Sequence, residues 1–285
     1  MSIVDIEYLR KWIEKHESAT DQITPVPVKA LQATLNRQEI VCLPGDYLPP
    51  MWHILYFLPI CKQSDLSPNG HPHMGDFMPP VPLPRRMYAG SRMQFHQPLQ
   101  IGDHITRNST IRDVIFKQGR SGPLVFLKIT HEISDDKGIA ITEEQDIVYR
   151  QHPEPGDPAP SYLTAPQGGE WLQEMETDPV VLFRFSALTF NGHRIHYDYP
   201  YATAVEGYPG LIVHGPLLAI YLLELLHEQI SGAQVLEFKF QALKPVFAGE
   251  RFFLCGTPAD DRRLINMWVR DIDGHLCLQA SVRLA

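Results

Sequence analysis

Two short turn-and-strand motifs each occur twice in this 285-residue chain, in the same order. Residues 96–105, HQPLQIGDHI, match residues 243–252, LKPVFAGERF, through the pattern Pro-x-x-x-Gly-acid. Residues 135–142, DDKGIAIT, match residues 271–278, DIDGHLCL, where an Asp/Gly turn precedes a strand pattern. Two matches in one order indicate an internal duplication. The chain is therefore predicted to contain two copies of one fold.

The spacing between the motifs differs from one copy to the other. Gly102 and Gly138 are 36 residues apart, whereas Gly249 and Gly274 are 25 residues apart. The extra residues predict a longer loop in the first copy, and KQGRSGP (117–123) has the composition of a loop. After the last turn, alternating apolar residues predict a strand with one buried face, formed by Leu276, Leu278, Ala280, Val282 and Leu284.

Each half also carries an apolar segment that precedes its strands. Residues 215–230, GPLLAIYLLELLHEQI, are apolar on nearly every face, which predicts a fully buried helix. Residues 51–58, MWHILYFL, are the shorter counterpart and are stopped by Pro59. A buried helix followed by antiparallel strands predicts a sheet wrapped around that helix. The expected fold is therefore α+β, a double hotdog with two antiparallel sheets that each wrap around a central helix.

Prolines divide the chain. Of the 25 prolines, five lie at 153–166, a stretch with the composition of a semi-rigid linker. The predicted units are an N-terminal hotdog at 1–151, a linker at 152–167 and a C-terminal catalytic hotdog at 168–285. A second proline-rich stretch at 59–84 is interpreted as a long ordered loop, and such loops are often functional.

Charge and composition limit the partners and the compartment. Asp and Glu number 33 against 25 Lys and Arg, a net charge of −8, so we expect no binding to nucleic acid. No run of about 18 apolar residues is present, which predicts no membrane span. The N-terminal residues lack a signal-peptide core, and the four cysteines form no C-x-x-C pair. We expect a cytoplasmic protein with reduced thiols.

Polar groups are densest at residues 191–198, just before the apolar helix. His196 titrates near neutral pH and is the candidate general acid/base, with a structural histidine as the alternative. Asn191 could hold a water through its amide, or it could serve only as the turn residue of Asn-Gly. Gly215 opens the helix, so its N–H is a candidate oxyanion donor for a thioester carbonyl, with an ordinary helix-start glycine as the alternative.

Other chemistries lack the expected patterns. The 13 histidines include His193 and His196 at i,i+3 and the run HPHMGD (71–76), but neither has a third ligand at the usual spacing, so no metal is expected. The Gly-rich nucleotide motifs and the G-x-S-x-G elbow are both absent from the sequence. Ser186, in a run without that elbow, is interpreted as structural.

The run FSALTFNGHRIHYD (185–198), followed by GLIVHGPL (210–217), resembles the MaoC-like hydratases and dehydratases of acyl thioesters. The resemblance is to the two-hotdog members, which include mitochondrial-type 3-hydroxyacyl-thioester dehydratases and bacterial itaconyl-CoA and mesaconyl-C4-CoA hydratases. LPRRMYAGSRMQFHQPLQIGD (83–103) resembles the degenerate first hotdog of that group. The resemblance therefore extends over essentially the whole chain.

The simpler members carry the motif Gly-Asp-x-Asn-Pro-x-His. On this chain the motif's Asp falls on Asn191, its Asn on His193, its Pro on Arg194 and its His on His196. The resemblance implies that His196 is the acid/base and that Asn191, which cannot take a proton, positions water or hydroxyl. It also implies that Gly215 supplies the oxyanion N–H.

Residues in and near this motif are predicted to bind the substrate. Arg194, His214 and Tyr197 are assigned to substrate binding. Asp198 is expected to orient Tyr197 or His193.

The implied reaction is reversible hydration of an unsaturated acyl-CoA without a cofactor. Arg85 and Arg86 could receive a distal carboxylate, or they could be scaffold arginines paired with structural acids. The expected substrate is itaconyl-CoA or mesaconyl-C4-CoA, giving citramalyl-CoA in itaconate degradation. The alternatives are an (R)-3-hydroxyacyl-thioester dehydratase of fatty-acid metabolism and a non-enzymatic hotdog that binds acyl thioesters. A homodimer is expected from family analogy.

Overall fold

The computed structural model describes residues 4–37, 42–119, 122–152 and 161–285. The α-helices are α1 (Ile6–Leu9), α2 (Pro25–Thr34), α3 (Pro179–Leu188) and α4 (Gly215–Gln229). The strands are β1 (His16–Gln22), β2 (Arg85–Phe95), β3 (His104–Gly119), β4 (Gly122–Asp135), β5 (Gly138–Arg150), β6 (Trp171–Glu176), β7 (Val235–Ala242), β8 (Arg251–Pro258), β9 (Leu264–Asp271) and β10 (Leu276–Leu284). Single helical turns lie at Arg10–Trp12, Trp52–Leu55, Gln63–Asp65, Arg194–His196 and Tyr201–Val205.

The ten strands form one antiparallel sheet in the order β1-β3-β4-β5-β2-β7-β10-β9-β8-β6. The first five strands of this order come from one half of the chain and the last five from the other, in mirrored positions. The halves join where β2 pairs with β7, with Gly90 opposite Gln241 and Gln94 opposite Glu237. The two expected sheets are thus two half-sheets that are hydrogen-bonded edge to edge.

The duplicated motifs occupy equivalent places in the two half-sheets. Gly102 and Gly249 precede β3 and β8, and Gly138 and Gly274 lie in the turns that lead into β5 and β10. All four glycines have positive φ, between 80° and 129°, a region that residues with a Cβ rarely adopt. This confirms the predicted turns and explains why glycine recurs there.

The extra residues of the first copy lengthen strands, so the prediction of a longer loop is wrong. Strands β3 and β4 have 16 and 14 residues, whereas their counterparts β8 and β9 have 8 each. Only residues 120 and 121 separate β3 from β4, and they lie outside the described residues. A hairpin extends by adding cross-strand pairs, and such pairs satisfy the backbone hydrogen bonds that a long loop would leave to water.

Helix α4 is the predicted buried helix. It packs against β2, β8, β9 and β10. Nine of its residues are buried: Leu217, Leu218, Ala219, Ile220, Tyr221, Leu222, Leu223, Leu225 and Leu226. None of the helices among the described residues is both long and apolar enough to cross a membrane.

The predicted helical counterpart at 51–58 is wrong, because this segment forms only the single turn Trp52–Leu55. Met51 before it and Phe57 after it both have positive φ, which interrupts a right-handed helix on either side. The segment is nevertheless buried, with Trp52 fully enclosed and Leu55 1% exposed. The first half therefore fills its core with side chains but has no long central helix.

Helices α2 and α3 follow β1 and β6 and pack against each other. Both begin with proline in the first turn, and both are followed by a residue of positive φ, Asn36 and Phe190. Because the polar segment at 191–198 follows α3, the contact between α2 and α3 places that segment next to the first half of the chain.

The predicted linker is described from residue 161 onward, and residues 153–160 lie outside the described residues. Its later part runs beside the β9–β10 turn, where Leu276 N–H donates to Leu163 O at 2.7 Å and Ala165 N–H donates to Gly274 O at 2.9 Å. The division into units at 152–167 stays a prediction.

Candidate active site

His196 lies in the helical turn Arg194–His196, between α3 and α4, and is 7% exposed. Its Nδ1 is 2.8 Å from Ile212 O. A carbonyl oxygen only accepts, so Nδ1 carries the proton and Nε2 presents a lone pair. Burial lowers the pKa of His196 to about 4, although the bond to Ile212 opposes that shift. At neutral pH the side chain is therefore a neutral imidazole, as a general base requires.

His214 stacks on His196, with ring centroids 3.6 Å apart and planes 17° from parallel. Its Nε2 is 2.9 Å from Ser186 Oγ, and burial lowers its pKa well below the ordinary value. Either atom can donate in this hydrogen bond, so the bond fixes the orientation of the imidazole ring and not its tautomer. Within the described residues the buried Nδ1 has no hydrogen-bond partner. Ser186, expected to be structural, thus holds the ring of a site histidine in place.

Gly215 begins α4 directly after His214. First-turn N–H groups have no acceptor within their own helix, and the positive end of the helix dipole lies there. A Cβ placed on Gly215 would meet nothing nearer than Ala242 Cβ at 4.0 Å, so an acyl group has room to approach. The start of α4 is therefore a candidate site for a developing oxyanion, and it directly follows the histidine that stacks on His196.

Asn191 serves as a turn residue, which was the alternative to its catalytic role. Its Oδ1 accepts the backbone N–H of His193 at 3.0 Å, and its own N–H donates to Ser186 O at 2.8 Å. These bonds hold the loop after α3 in place. The side-chain NH₂ remains as the group that could contact water or hydroxyl.

A second Asn-Gly-His turn, from the first half of the chain, faces this one. Asn69 Oδ1 accepts the N–H of His71 at 3.0 Å, and the His71 and His193 rings have centroids 4.3 Å apart. Gly70 packs so closely that a Cβ on it would lie 1.8 Å from Gly192 O. The proline-rich stretch at 59–84 therefore forms one wall of the candidate site, and its functional role stays a prediction.

Arg194 holds these two turns together. Its Nε and one terminal nitrogen contact Asp198 Oδ2 at 2.9 and 2.7 Å, while another donates to Pro68 O at 3.0 Å. The expectation that Asp198 orients Tyr197 or His193 is wrong, because its carboxylate is taken by Arg194 and the Tyr201 N–H.

Tyr197 lies at the rim of the site. It is 45% exposed, and its hydroxyl donates to Gly192 O at 3.0 Å. Its ring is thus accessible to a ligand, whereas its hydroxyl already has a partner.

Arg85 and Arg86 have different surroundings although they are adjacent in the sequence. Arg85, 7% exposed, pairs through Nε with Glu206 Oε2 at 2.9 Å, donates to Glu206 O and stacks over Tyr208. Arg86 pairs with no carboxylate among the described residues. Its charge contributes, after burial, to the lowered pKa values of His71 and His193. Arg85 therefore fits the scaffold alternative, and Arg86 remains available to a ligand.

A possible cation-binding group lies elsewhere. Among the described residues, Asp271, Asp273 and His275 place one ligand atom each within 4.8 Å of one another at the β9–β10 turn. Asp271 is already paired with Lys244 and accepts the His275 N–H, so this cluster has a structural role in the hairpin.

Sequence reasoning missed His71 as a member of the site. Its signal was present, because the tripeptide Asn-Gly-His occurs at both 69–71 and 191–193. Only the structure shows that the two copies meet.

Comparisons with known proteins agree with this architecture. The model of a family described as hydroxyacyl-thioester dehydratase type 2 matches residues 51–248. The chain is 45% identical over 276 residues to mesaconyl-C(4)-CoA hydratase of Chloroflexus aurantiacus, with 96% of each protein covered.

Solved structures show the same fold. A MaoC-like dehydratase from Phytophthora capsici has a TM-score of 0.70 at 15% identity, with 99% of each chain covered. A conserved hypothetical protein from Mycobacterium tuberculosis with a double hotdog fold has a TM-score of 0.57 at 13% identity, with 96% of each chain covered. The double hotdog prediction is confirmed.

Proposed function

The chain belongs to the hydroxyacyl-thioester dehydratase type 2 family and is a hydro-lyase, and from this premise we propose that it hydrates an unsaturated acyl-CoA reversibly. One observation carries the assignment of its catalytic centre. His196 is a buried neutral imidazole with a free Nε2, stacked on the residue that precedes the N-terminus of α4. A base and an oxyanion site thus lie side by side.

In the proposed reaction, His196 Nε2 removes a proton from water as the water oxygen bonds to the β carbon. The alkene electrons move toward the thioester carbonyl, whose oxygen gains negative charge. The Gly215 N–H stabilises that oxygen, and His214 is proposed to contact the acyl group beside it. His196 then returns its proton to the α carbon, so that one water is added and the imidazole is neutral again.

Asn191 supplies no second base, because an amide does not ionise. We assign its NH₂ to positioning the attacking water, while Oδ1 holds the turn. His196 therefore performs both proton transfers. Tyr197 and Arg194 border the entrance and are proposed to contact substrate, Tyr197 through its exposed ring.

Mesaconyl-C4-CoA is the proposed substrate, with citramalyl-CoA as product, and itaconyl-CoA is the second candidate. Two observations support a substrate that carries a free carboxylate. The relative at 45% identity is a mesaconyl-C(4)-CoA hydratase, and Arg86 has no acidic partner among the described residues. Arg85 is left out of this binding role because Glu206 already pairs with it.

The test is loss of enoyl-thioester absorbance with mesaconyl-C4-CoA and crotonyl-CoA. Product formation from itaconyl-CoA is followed by chromatography, because its alkene is not conjugated to the thioester. We expect hydration of mesaconyl-C4-CoA, and a fall of at least about 10²-fold in kcat for His196→Gln, since general base catalysis contributes that much or more. His227→Gln, an exposed histidine near the end of α4, is the matched control and should retain full activity. Unchanged activity of His196→Gln would refute its assigned role.

Two alternatives are decided by the same panel. The matched family is one of 3-hydroxyacyl-thioester dehydratases, which favours (R)-3-hydroxyacyl thioesters as the second candidate substrates. Preference for crotonyl-CoA over mesaconyl-C4-CoA would support that reading. Tight binding of every acyl-CoA without turnover would instead support a hotdog that only binds acyl thioesters.

We also propose that the protein functions in the cytoplasm, as a homodimer, in itaconate degradation. Strands β2 and β7 already join the two halves of the sheet within one chain, so the proposed dimer joins two such pairs. Sedimentation equilibrium at micromolar concentration tests the dimer. A mass of 32.5 kDa at every concentration would contradict it.

A further inference from the structure

The ring of His214 covers one face of the His196 imidazole. The two ring centroids are 3.6 Å apart, and the ring planes are 17° from parallel. This separation is the optimal distance for van der Waals contact between carbon atoms, so the two rings touch face to face. The covered face of His196 therefore has no room for water, and the ring cannot tilt toward His214.

The remaining contacts of His196 fix its ring less completely. Nδ1 is 2.8 Å from Ile212 O, and the His193 ring meets the His196 ring edge-on, with centroids 5.6 Å apart. A hydrogen bond tolerates a range of angles, so the bond to Ile212 alone limits rotation about the Cβ–Cγ bond only loosely. The stacked ring of His214 opposes the rotation that remains, and Nε2 keeps one direction.

Helix α3 in turn fixes the position of His214. Ser186 Oγ is 2.9 Å from Nε2 of His214, and the Phe185 ring meets the His214 ring edge-on, with centroids 4.9 Å apart. His214 is 1% exposed and Ser186 is 6% exposed. Among the described residues, the bond to Ser186 is the one hydrogen bond that the ring of His214 makes. Ser186 therefore holds the ring that covers His196.

A histidine at position 214 has a cost that packing does not explain. Its Nδ1 is buried and has no hydrogen-bond partner among the described residues. Unsatisfied buried groups are unfavourable, and native proteins keep few of them. An imidazole, however, has a second nitrogen through which a neighbour can fix its rotation, and a phenyl ring lacks such an atom. The contact with Ser186 uses that property.

We propose that Ser186 and His214 are positioning residues for the base His196. Ser186 holds the ring of His214, that ring covers one face of His196, and Nε2 stays directed at the reacting water. The inference rests on the proposed function, because the base is the one assigned there. A contact between His214 and the acyl group would change substrate binding, whereas the positioning role changes the rate of proton transfer.

Ser186→Ala is the main test, because the Ser186 hydroxyl contacts His214 and is buried behind it. The freed ring of His214 should let His196 move, and small displacements of a catalytic group are expensive in rate. We expect kcat for mesaconyl-C4-CoA to fall by about 10- to 100-fold. KM should change by less than about twofold, since Ser186 removes no contact to substrate.

Ser109→Ala is the matched control. Ser109 Oγ is 2.8 Å from Nδ1 of His131, so the first half contains a second buried Ser–His hydrogen bond, away from the candidate active site. Its loss should lower the Tm about as much as the loss of the Ser186 hydroxyl does, and kcat should stay at the wild-type value. A merely structural role for Ser186 would give the two variants the same kcat.

A double-mutant cycle shows whether Ser186 acts through His214. His214→Phe keeps a ring against His196 but removes the nitrogen that Ser186 contacts. In the His214→Phe background, Ser186→Ala should change kcat by less than about twofold. An equal loss of kcat in both backgrounds overturns the proposal, as does an unchanged kcat for Ser186→Ala in the wild-type background.

NMR titration of the imidazole signals tests the same contact without substrate, and His196→Gln assigns the signal. Burial lowers the pKa of His196 to about 4. His214→Phe should preserve that pKa, because a ring still covers the face. His214→Ala uncovers the face and should raise the pKa toward the ordinary value of about 6.5. Ser186→Ala, which only frees the covering ring, should raise it by a smaller amount.

The other titratable groups near His196 are the same in all these variants. They are His193 of its own turn and His71 of the first half, with Arg86 acting on both. Equal pKa values of His196 in His214→Phe and His214→Ala would overturn the covering role. The expected pKa values without turnover of any unsaturated acyl-CoA would refute the proposed function and leave the positioning contact standing.

Discussion

Lowering the pH from 7 to 5 tests whether catalysis depends on the buried His196. Only the neutral imidazole can accept a proton from water, and burial lowers its pKa to about 4. At pH 5 a histidine with that pKa is about 90% neutral, whereas one with the ordinary value of about 6.5 is about 3% neutral. We therefore expect kcat/KM to retain about 90% of its pH 7 value at pH 5.

The folded protein should become less stable over the same range. The pKa of His196 is lower in the folded state than in the unfolded chain, so the unfolded chain binds the proton first as the pH falls. The stability contributed by the neutral form is complete above about pH 6.5 and is lost between about 6.5 and 4. For a pKa difference of about 2.5 units between the folded and unfolded states, the free energy of unfolding falls by about 3 kcal/mol. His71, His193 and His214 act in the same direction, since burial lowers each of their pKa values.

The assay must therefore separate activity from unfolding. Enzyme kept at pH 7 is mixed with substrate at the test pH, and initial rates are taken while circular dichroism shows the fold intact. An acid limb with an apparent pKa between 6 and 7 in the folded protein would refute the reasoning. That result would mean that the catalytic base is solvated, or that another group carries the proton.

Two further predictions concern packing around the site. Gly70→Ala should lower both the free energy of unfolding and kcat/KM, because its Cβ would lie 1.8 Å from Gly192 O. Gly75→Ala is the control, because Gly75 also has a positive φ but has open space around it. In urea unfolding, the free energy of unfolding should fall by about 1 kcal/mol for the control and by roughly 1–3 kcal/mol more for Gly70→Ala. Equal losses in the two variants would contradict the close contact. Glu206→Gln should lower the free energy of unfolding by about 3–5 kcal/mol, because it leaves Arg85 buried without its countercharge. A change below about 1 kcal/mol in thermal or urea denaturation would show that the pair is solvated.

Local patterns were sufficient where the structure depends on neighbours in the sequence. The alternation after Gly274 predicted a strand, and the apolar run from Gly215 predicted a buried helix, because side chains repeat every two residues in a strand and every 3.6 in a helix. The turn glycines at 102 and 249 were identified by the same local logic. The motif ending at His196 also indicated the segment that forms the candidate active site.

The sequence pattern gave wrong predictions where the structure depends on backbone conformation or on distant segments of the chain. MWHILYFL is apolar enough for a helix, but Met51 and Phe57 adopt positive φ and leave a single turn. Residues 117–119 and 122–123, which were expected to lie in a loop, instead extend β3 and β4. Neither feature is marked by a periodic pattern in the sequence, because both depend on the strands and side chains that pack against these segments.

The sequence by itself determined the duplication, the candidate catalytic histidine and the glycine that begins the buried helix, because each is marked by residues a few positions apart. Only the tertiary structure distinguished Arg85 from Arg86. Consecutive strand residues point to opposite faces, so Arg85 meets Glu206, which is 121 residues away, while Arg86 meets Tyr149 and His71. The charge that a side chain meets across a sheet depends on segments far away in the chain, and no local spacing records it.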